Sequence, residues 1–544
     1  MKRFTLPKAI LTLLAILTAT PTSIVGATKA DLATLSLTLR KRVETRPGSG
    51  RFHTLTQPAH WDTKKTAIIV CDMWDSHHCL NAVRRVGEMA PRMNQLLIEA
   101  RNRGVLIIHA PSGCMDAYKD HPARRNALKT PRAKNLPKDI GRWCDRIPAE
   151  EKGEYPIDQK DGGEDDDLAE HRAWAEKLQK MGRNPRAPWK SQIDVLKIED
   201  RDIISDSGEE IWSVLEQRGI DKVILLGVHT NMCVLGRPFG LRQMAKNGKN
   251  VVLMRDLTDT MYNPARAPFV SHFTGTDLIV EHIEKWVCPT ITSDQILGDK
   301  PFRFASDKRP HVVLLMAESE YETNRTLPEF ALKHLGKDFR VSLVYGSETN
   351  ANDVPGIEAL NEADLVLVSV RRRALPKKQM DIVRKFVARG KPLVGIRTAS
   401  HAFSLRGGKP PEGCAVWEEF DAEVLGGHYT NHHGAGPKVA VKTAEEAAGH
   451  AILEGIDLAE LRGNGSLYMV RPLAKTTTPL LIGSVPDKPA EPVLWTHATK
   501  AGGRVVYTSL GHPDDFKEPA FNRLLSNAVH WAADLPVGEA KRRP

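Results

Sequence analysis

The feature that most constrains this chain is an alternation that occurs twice: short apolar runs with the composition of buried strands, interleaved with stretches of helical period. The first block offers strands at 66–72, 104–110, 193–198, 222–228 and 250–255, with helices predicted near 88–103, 207–219, 233–248 and 276–287. The second offers strands at 311–317, 340–345, 364–370, 392–396, 438–442, 479–484, 493–497 and 504–508, and a final helix near 519–533. Strands alternating with helices predict sheets that are mainly parallel and covered on both faces. A chain of 544 residues also exceeds what one core organises. The expected fold class is α/β, as two doubly wound, mainly parallel-sheet domains over 28–289 and 310–538, joined by a linker at 290–309. Residues 28–60 read as a short arm, and the charged, Pro- and Gly-rich stretch 112–192 reads as an insertion able to wall a pocket.

The chain begins Met-Lys-Arg-Phe and continues into the apolar run Ala9–Leu17, with small residues at Val25-Gly-Ala27. This pattern predicts a secretory signal peptide over 1–27 and a periplasmic or secreted mature protein. The run is too short for a stable membrane span, and no later segment approaches the ~20 apolar residues that one needs. Seven cysteines form no dense disulfide framework, and their odd number leaves at least one thiol free under internal pairing. The net charge of +10 is spread along the chain, so no nucleic-acid module is indicated. The Gly-rich dinucleotide fingerprint is absent as well.

Ligands of parallel α/β sheets bind at the carboxyl ends of the strands, which directs attention to three residues. Asp72 closes Ala-Ile-Ile-Val-Cys-Asp, Lys197 lies in Asp-Val-Leu-Lys-Ile, and Cys233 follows Lys-Val-Ile-Leu-Leu-Gly-Val-His-Thr-Asn-Met. A thiol attacks a carbonyl as its thiolate, favoured by a helix amino terminus and a nearby cation. Cys233 begins a predicted helix, Lys197 is the candidate cation with Lys190 and Lys222 as alternatives, and Asp72 can take the thiol proton and return it to a leaving amine.

In order and context these residues resemble the isochorismatase-like cysteine hydrolases, whose pattern Gly-Val-x-Thr-x-x-Cys stands here as Gly227, Val228, His229, Thr230, Asn231, Met232 and Cys233. The resemblance implies a triad of Asp72, Lys197 and Cys233, hydrolysis of a C–N bond, and a cis peptide after Val228 that lets amides near Met232 and Cys233 form an oxyanion hole. Trp74, where relatives often carry Gln, joins Thr230 and Asn231 as candidate pocket residues. The resemblance requires no cofactor. A metal, for which Asp116 with His109 or His121 could imitate the set of some relatives, is unsupported by the spacing. The acidic run Asp158–Asp167 reads as a solvated loop rather than a calcium loop.

In the second block, Pro392-Leu-Val-Gly-Ile-Arg397 is a strand running into a sharp turn, the place where class I glutamine amidotransferases carry a nucleophilic cysteine. Arg397 cannot act as that nucleophile. The same stretch, with Val424–His433 and Tyr507–His512, resembles the ThuA-like domains linked to trehalose and other sugar utilisation. Arg397, His401, His428, His432, His433 and His512 are the candidate polar pocket there. The leading reading is an exported hydrolase of a small, carbohydrate-linked amide, for which the superfamily resemblance also allows a homo-oligomer. The alternatives are a non-catalytic scaffold beside a carbohydrate-binding domain, or a sugar-processing second domain.

Overall fold

The computed structural model describes residues 33–538, so the expected signal peptide lies outside the described residues. Numbering the strands of the two large sheets in chain order, the first contains β1 (Thr34–Glu44), β2 (Phe52–Asp62), β3 (Thr66–Cys71), β4 (Leu106–Ala110), β5 (Ile203–Ile204), β6 (Lys222–Val228), β7 (Asn250–Asp259) and β8 (Thr290–Ile291). Their spatial order is β2-β1-β8-β7-β6-β3-β4-β5, parallel from β8 through β5. Every residue of β3 is buried, as expected of a strand covered on both faces.

Four sequence expectations change here. The arm before residue 60 is a long hairpin, β1 pairing antiparallel with β2 from Thr34–Asp62 to Glu44–Phe52. The alternation Thr-Leu-Ser-Leu turns Leu35 and Leu37 into the core. The segment 193–198 is not a strand. Only Leu196 of Asp194-Val-Leu-Lys197 turns inward, and the sheet is instead completed by the two buried isoleucines of β5. The predicted helix 233–248 breaks at Pro238, whose missing N–H and ring cannot continue it, and resumes as a helix over Leu241–Lys246. The linker is shorter than expected, because Thr290–Ile291 is β8 and pairs with both β7 and β1.

The second sheet comprises β9 (His311–Ala317), β10 (Arg340–Tyr345), β11 (Leu365–Val370), β12 (Leu393–Ile396), β13 (Val439–Thr443), β14 (Arg462–Gly463), β15 (Thr478–Ser484), β16 (Glu491–Ala498) and β17 (Arg504–Thr508). Its order is β10-β9-β11-β12-β17-β16-β15-β13-β14, parallel from β10 to β17 and antiparallel beyond. The closing helix Pro519–Ala532 packs Phe521, Leu524, Leu525 and Val529 against this sheet's core. Two separate α/β domains result. They meet through ion pairs such as Arg51–Glu348 (2.7 Å) and Arg309–Asp277 (3.1 Å).

The acidic run is exposed at Lys160, Asp161 and Asp167 as expected of a solvated loop, but most of its carboxylates are tied down. Asp166 accepts from the backbone amides of Leu80 (2.8 Å) and Asn81 (2.7 Å), at the start of the helix Leu80–Asn102. Asp165 pairs with Arg85 (2.8 Å) and His272 (3.1 Å), Asp158 with Arg266 (2.6 Å), and Asp167 caps the helix Leu168–Lys180. Carboxylates are favoured at helix amino ends, where unpaired N–H groups and the helix dipole meet. The run is therefore a strap that ties the insertion to the first sheet's carboxyl edge.

Candidate functional site

At the end of β3 the backbone of Asp72 takes φ 46, left-handed for a non-glycine residue, and its side chain is fully buried. One carboxylate oxygen accepts from the Ser112 amide (2.8 Å), which follows β4. The other accepts from Arg237 Nε (3.0 Å), and the Cys233 thiol lies beside the carboxyl, close enough to interact with it. Arg237 stands one helical turn after Cys233, its amide bonded to the Cys233 carbonyl (3.0 Å). Three residues thus share one charged centre at the carboxyl edge: Asp72, Cys233 and Arg237.

Lys197 is not among them. Its ammonium is exposed and donates to the Asp194 carbonyl (3.1 Å), while its amide binds Asn94 on the helix Leu80–Asn102. Of the alternatives, Lys222 opens β6 at the opposite edge and pairs with Asp221 (3.0 Å), and Lys190 is exposed. The sequence reading missed Arg237, although its spacing of four from Cys233 was the available signal, since residues four apart share a helix face. Arginine differs from lysine in one respect that matters here: it holds its proton at every working pH and serves as a fixed charge.

Burial, then the Asp72 charge, pushes the Cys233 thiol well up, with Arg237 working against this. Burial also raises Asp72, opposed by Arg237, the thiol and Ser112. The thiol therefore rests protonated, beside a carboxyl that Arg237 holds against the effect of burial.

The motif before Cys233 has a steric basis. Gly227 has φ +107, and a Cβ there would lie 2.1 Å from the Cys71 carbonyl oxygen. Only glycine lets β6 approach β3 this closely. The Val228–His229 peptide is cis. The His229 backbone lies against the Cys233 sulfur and favours its thiolate, whereas the Met232 amide is engaged by the His229 carbonyl (3.0 Å). In this arrangement the Met232 amide is thus satisfied internally and is not offered to an oxyanion.

The expected pocket residues are mostly braces. Thr230 shares a hydrogen bond with Thr258 (2.6 Å), and Asn231 binds both the amide (3.0 Å) and the carbonyl (2.9 Å) of Met261. Trp74 donates to the Ser112 carbonyl (3.1 Å) and stacks on Trp189 from the insertion (4.5 Å), so it steadies the loop that binds Asp72. His229 is buried and held down to about 3 by desolvation, so it stays neutral. Its Nε2 has no partner among the described residues.

A cavity of about 740 Å³ opens near this centre without being lined by Asp72, Cys233 or Arg237; its wall includes Asn231, Met232, Trp143, Tyr155, Glu150 and Arg242. Most of its wall comes from the insertion, as expected. Trp143 also covers Arg237 (5.3 Å), which links the cavity to the charged centre. Among the described residues, the grouping with metal-ligand spacing is another one, Cys79 with Asp165 and Asp166. Its carboxylates are already committed to Arg85, His272 and the Leu80 and Asn81 amides. His109 sits in a buried network with Gln192 (2.9 Å), His121 caps the helix Pro122–Lys129, and Asp116 is exposed, so these three do not converge. All seven cysteines are free thiols.

In the second domain Arg397 follows β12, again at φ 46, and is buried. Its guanidinium lies between the rings of Tyr321 (4.5 Å) and Tyr468 (4.3 Å) and donates to Tyr321 Oη (3.2 Å) and to the Ser466 carbonyl (3.2 Å). His401 stacks on Tyr429 (4.5 Å), His432 approaches Tyr468 (6.2 Å) and His512 approaches Tyr321 (6.2 Å). The tyrosines thus gather four of the six expected pocket residues. His428 is exposed and bound through its backbone to Val470, and His433 is bound likewise to Leu467, neither of them stacking on these rings.

Residues 312–532 match the model of the ThuA family, described as trehalose utilisation. No curated protein matches the chain. Among solved structures, a ThuA-like protein of Bacteroides uniformis is similar at 18% identity, covering 43% of this chain and 95% of that one, with a TM-score of 0.32. A cysteine hydrolase of Pseudomonas syringae pv. phaseolicola is similar at 18% identity, covering 44% and 92%, with a TM-score of 0.27. An isochorismatase family protein of Burkholderia thailandensis is similar at 14% identity, covering 43% and 93%, with a TM-score of 0.24.

Proposed function

We propose that the first domain is a cysteine hydrolase that cleaves an amide or related C–N bond of a small molecule through an acyl-cysteine intermediate. The observation that carries this reading is the buried Cys233 thiol beside Asp72 at the strand ends, with Arg237 on the second carboxylate oxygen and the cavity nearby. The thiol attacks the carbonyl carbon as its proton passes to Asp72. A buried thiol with a raised pKa is a poor spontaneous thiolate, so transfer to the adjacent base is the route that avoids a free thiolate. Arg237 keeps the site's charge balanced as negative charge moves from carboxylate to sulfur and carbonyl oxygen. The protonated Asp72 then gives its proton to the leaving nitrogen. Asp72, ionised again, draws a proton from water as that water attacks the thioester, releasing the acid and restoring the thiol.

The ThuA-like domain would recruit the carbohydrate portion of the substrate, which rests on the family match and on the tyrosine-lined edge. Export to a periplasm or medium is part of the same reading and rests on the leader pattern in the sequence. The deciding experiment incubates the full chain with small amides, ureas and carbamoyl compounds and measures adduct mass on Cys233. Turnover and adduct disappear in Cys233→Ala if the reading holds; turnover that survives this substitution ends it.

A further inference from the structure

Beside Arg397, the carboxyl edge of the second sheet gathers a cluster with an unbalanced charge. The Arg372 amide binds the His401 carbonyl (3.0 Å), His401 stacks on Tyr429, and Tyr429 packs on Tyr468 (4.7 Å). Arg406 lies near the Tyr429 hydroxyl and opposes the rise that burial gives it. The charges acting on His401 are those of Arg372, Arg371, Arg406 and Arg397, and together with burial they keep its imidazole neutral, at about 3. The carboxylate facing Arg372 is that of Glu320, which is already paired with Arg371. Glu318 turns to the amides of Glu320, Tyr321 and Thr323. Of the guanidinium atoms buried in this cluster without a hydrogen-bond partner among the described residues, Arg371 Nε faces Glu320, whereas Arg372 Nη1 and Nε of Arg397, a residue only 2% exposed, face no carboxylate.

Convergent arginines with unused donors, short of counter-charge, are the arrangement that a carboxylate or phosphate completes. Tyrosine rings beside them offer flat apolar faces with polar rims. We propose that this edge binds a small polyhydroxylated ligand through its anionic group, a sugar carboxylate or sugar phosphate. Arg372 and Arg406 hold the anion, and the half-buried Tyr429, backed by the buried Tyr468, carries the sugar face. The inference rests on the reading of the second domain as a carbohydrate binder and is independent of Cys233.

Calorimetric titration of the full chain with glucuronate, glucose 6-phosphate, glucose, trehalose and inorganic phosphate tests it. At least one charged sugar should bind about tenfold or more tighter than glucose and trehalose, with affinity falling as salt rises. Arg372→Gln and Arg406→Gln should each weaken that binding about tenfold. Arg406 is exposed, so its variant keeps the fold, to be verified by an unchanged melting curve. Neutral sugars binding as tightly as charged ones would overturn the anion site and leave the carbohydrate reading standing. Phosphate binding without any preference for a sugar would overturn the proposal by removing the carbohydrate. No binding by any of the five would remove both.

Discussion

The two sheets use the same backbone device to opposite ends. Each places a non-glycine residue with φ 46 directly after a central parallel strand, Asp72 after β3 and Arg397 after β12. Such a conformation costs on the order of 1–3 kcal/mol and holds only where surrounding contacts fix it. At the first edge the contacts are a thiol, an amide and a guanidinium around a carboxylate. At the second they are two tyrosine rings and the Ser466 and Ser509 carbonyls around a guanidinium. The scaffold delivers a strained side chain to the edge, and the type of side chain decides which partners gather around it and, on the functions proposed above, whether proton transfer or charge recognition follows. Fold alone does not choose between them.

The sharpest way to break this comparison is to remove the base. Asp72→Asn should lower turnover roughly 10³–10⁴-fold, in the upper range for a general acid–base, with the fold retained in a thermal melt. Arg397→Met should destabilise the second domain by about 2–4 kcal/mol, because buried carbonyls lose their donor and two ring contacts vanish; denaturant unfolding reads this directly. Arg237→Gln should cost turnover about 10²-fold and move the acidic limb of the pH–rate profile upward, since the cation that opposes the rise of the Asp72 pKa is lost.

A subtler contrast comes from Asp421, a buried carboxyl raised to about 7 by desolvation. The folded state then holds a proton that the unfolded chain releases near its ordinary value of 3.8. Between these values folding is favoured by low pH, and stability declines as pH rises toward 7. About 2 kcal/mol should be lost between pH 5.5 and 7.5, and Asp421→Asn should flatten that slope in urea melts across the range. The smallest effect belongs to Lys197→Ala, which should change both turnover and stability within about 0.5 kcal/mol.

Much of this was legible before any coordinates. The second sheet's strands fall where the apolar runs put them, because a strand buried on both faces must be apolar throughout. Asp72 and Cys233 were legible for a related reason: both end such runs. The 193–198 segment misled because an apolar pattern interrupted by Asp194 and Lys197 resembles a strand while serving as a surface turn with one anchor, Leu196. The acidic strap misled in the other direction, since a dense run of carboxylates resembles solvated chain until helix ends and arginines far away in sequence are brought to it.

By itself, then, the sequence determined two α/β units, the strand ends on which an acid and a thiol stand, and the arginine in the place of a second nucleophile. These depend on local pattern, through the burial of contiguous residues and the steric demand for Gly227. The tertiary structure decided which cation faces the acid, Arg237 rather than Lys197, and which aromatic rings hold Arg397. Those partners are selected by distance across the sheet edge, where a side chain's direction from helix or loop outweighs its order along the chain.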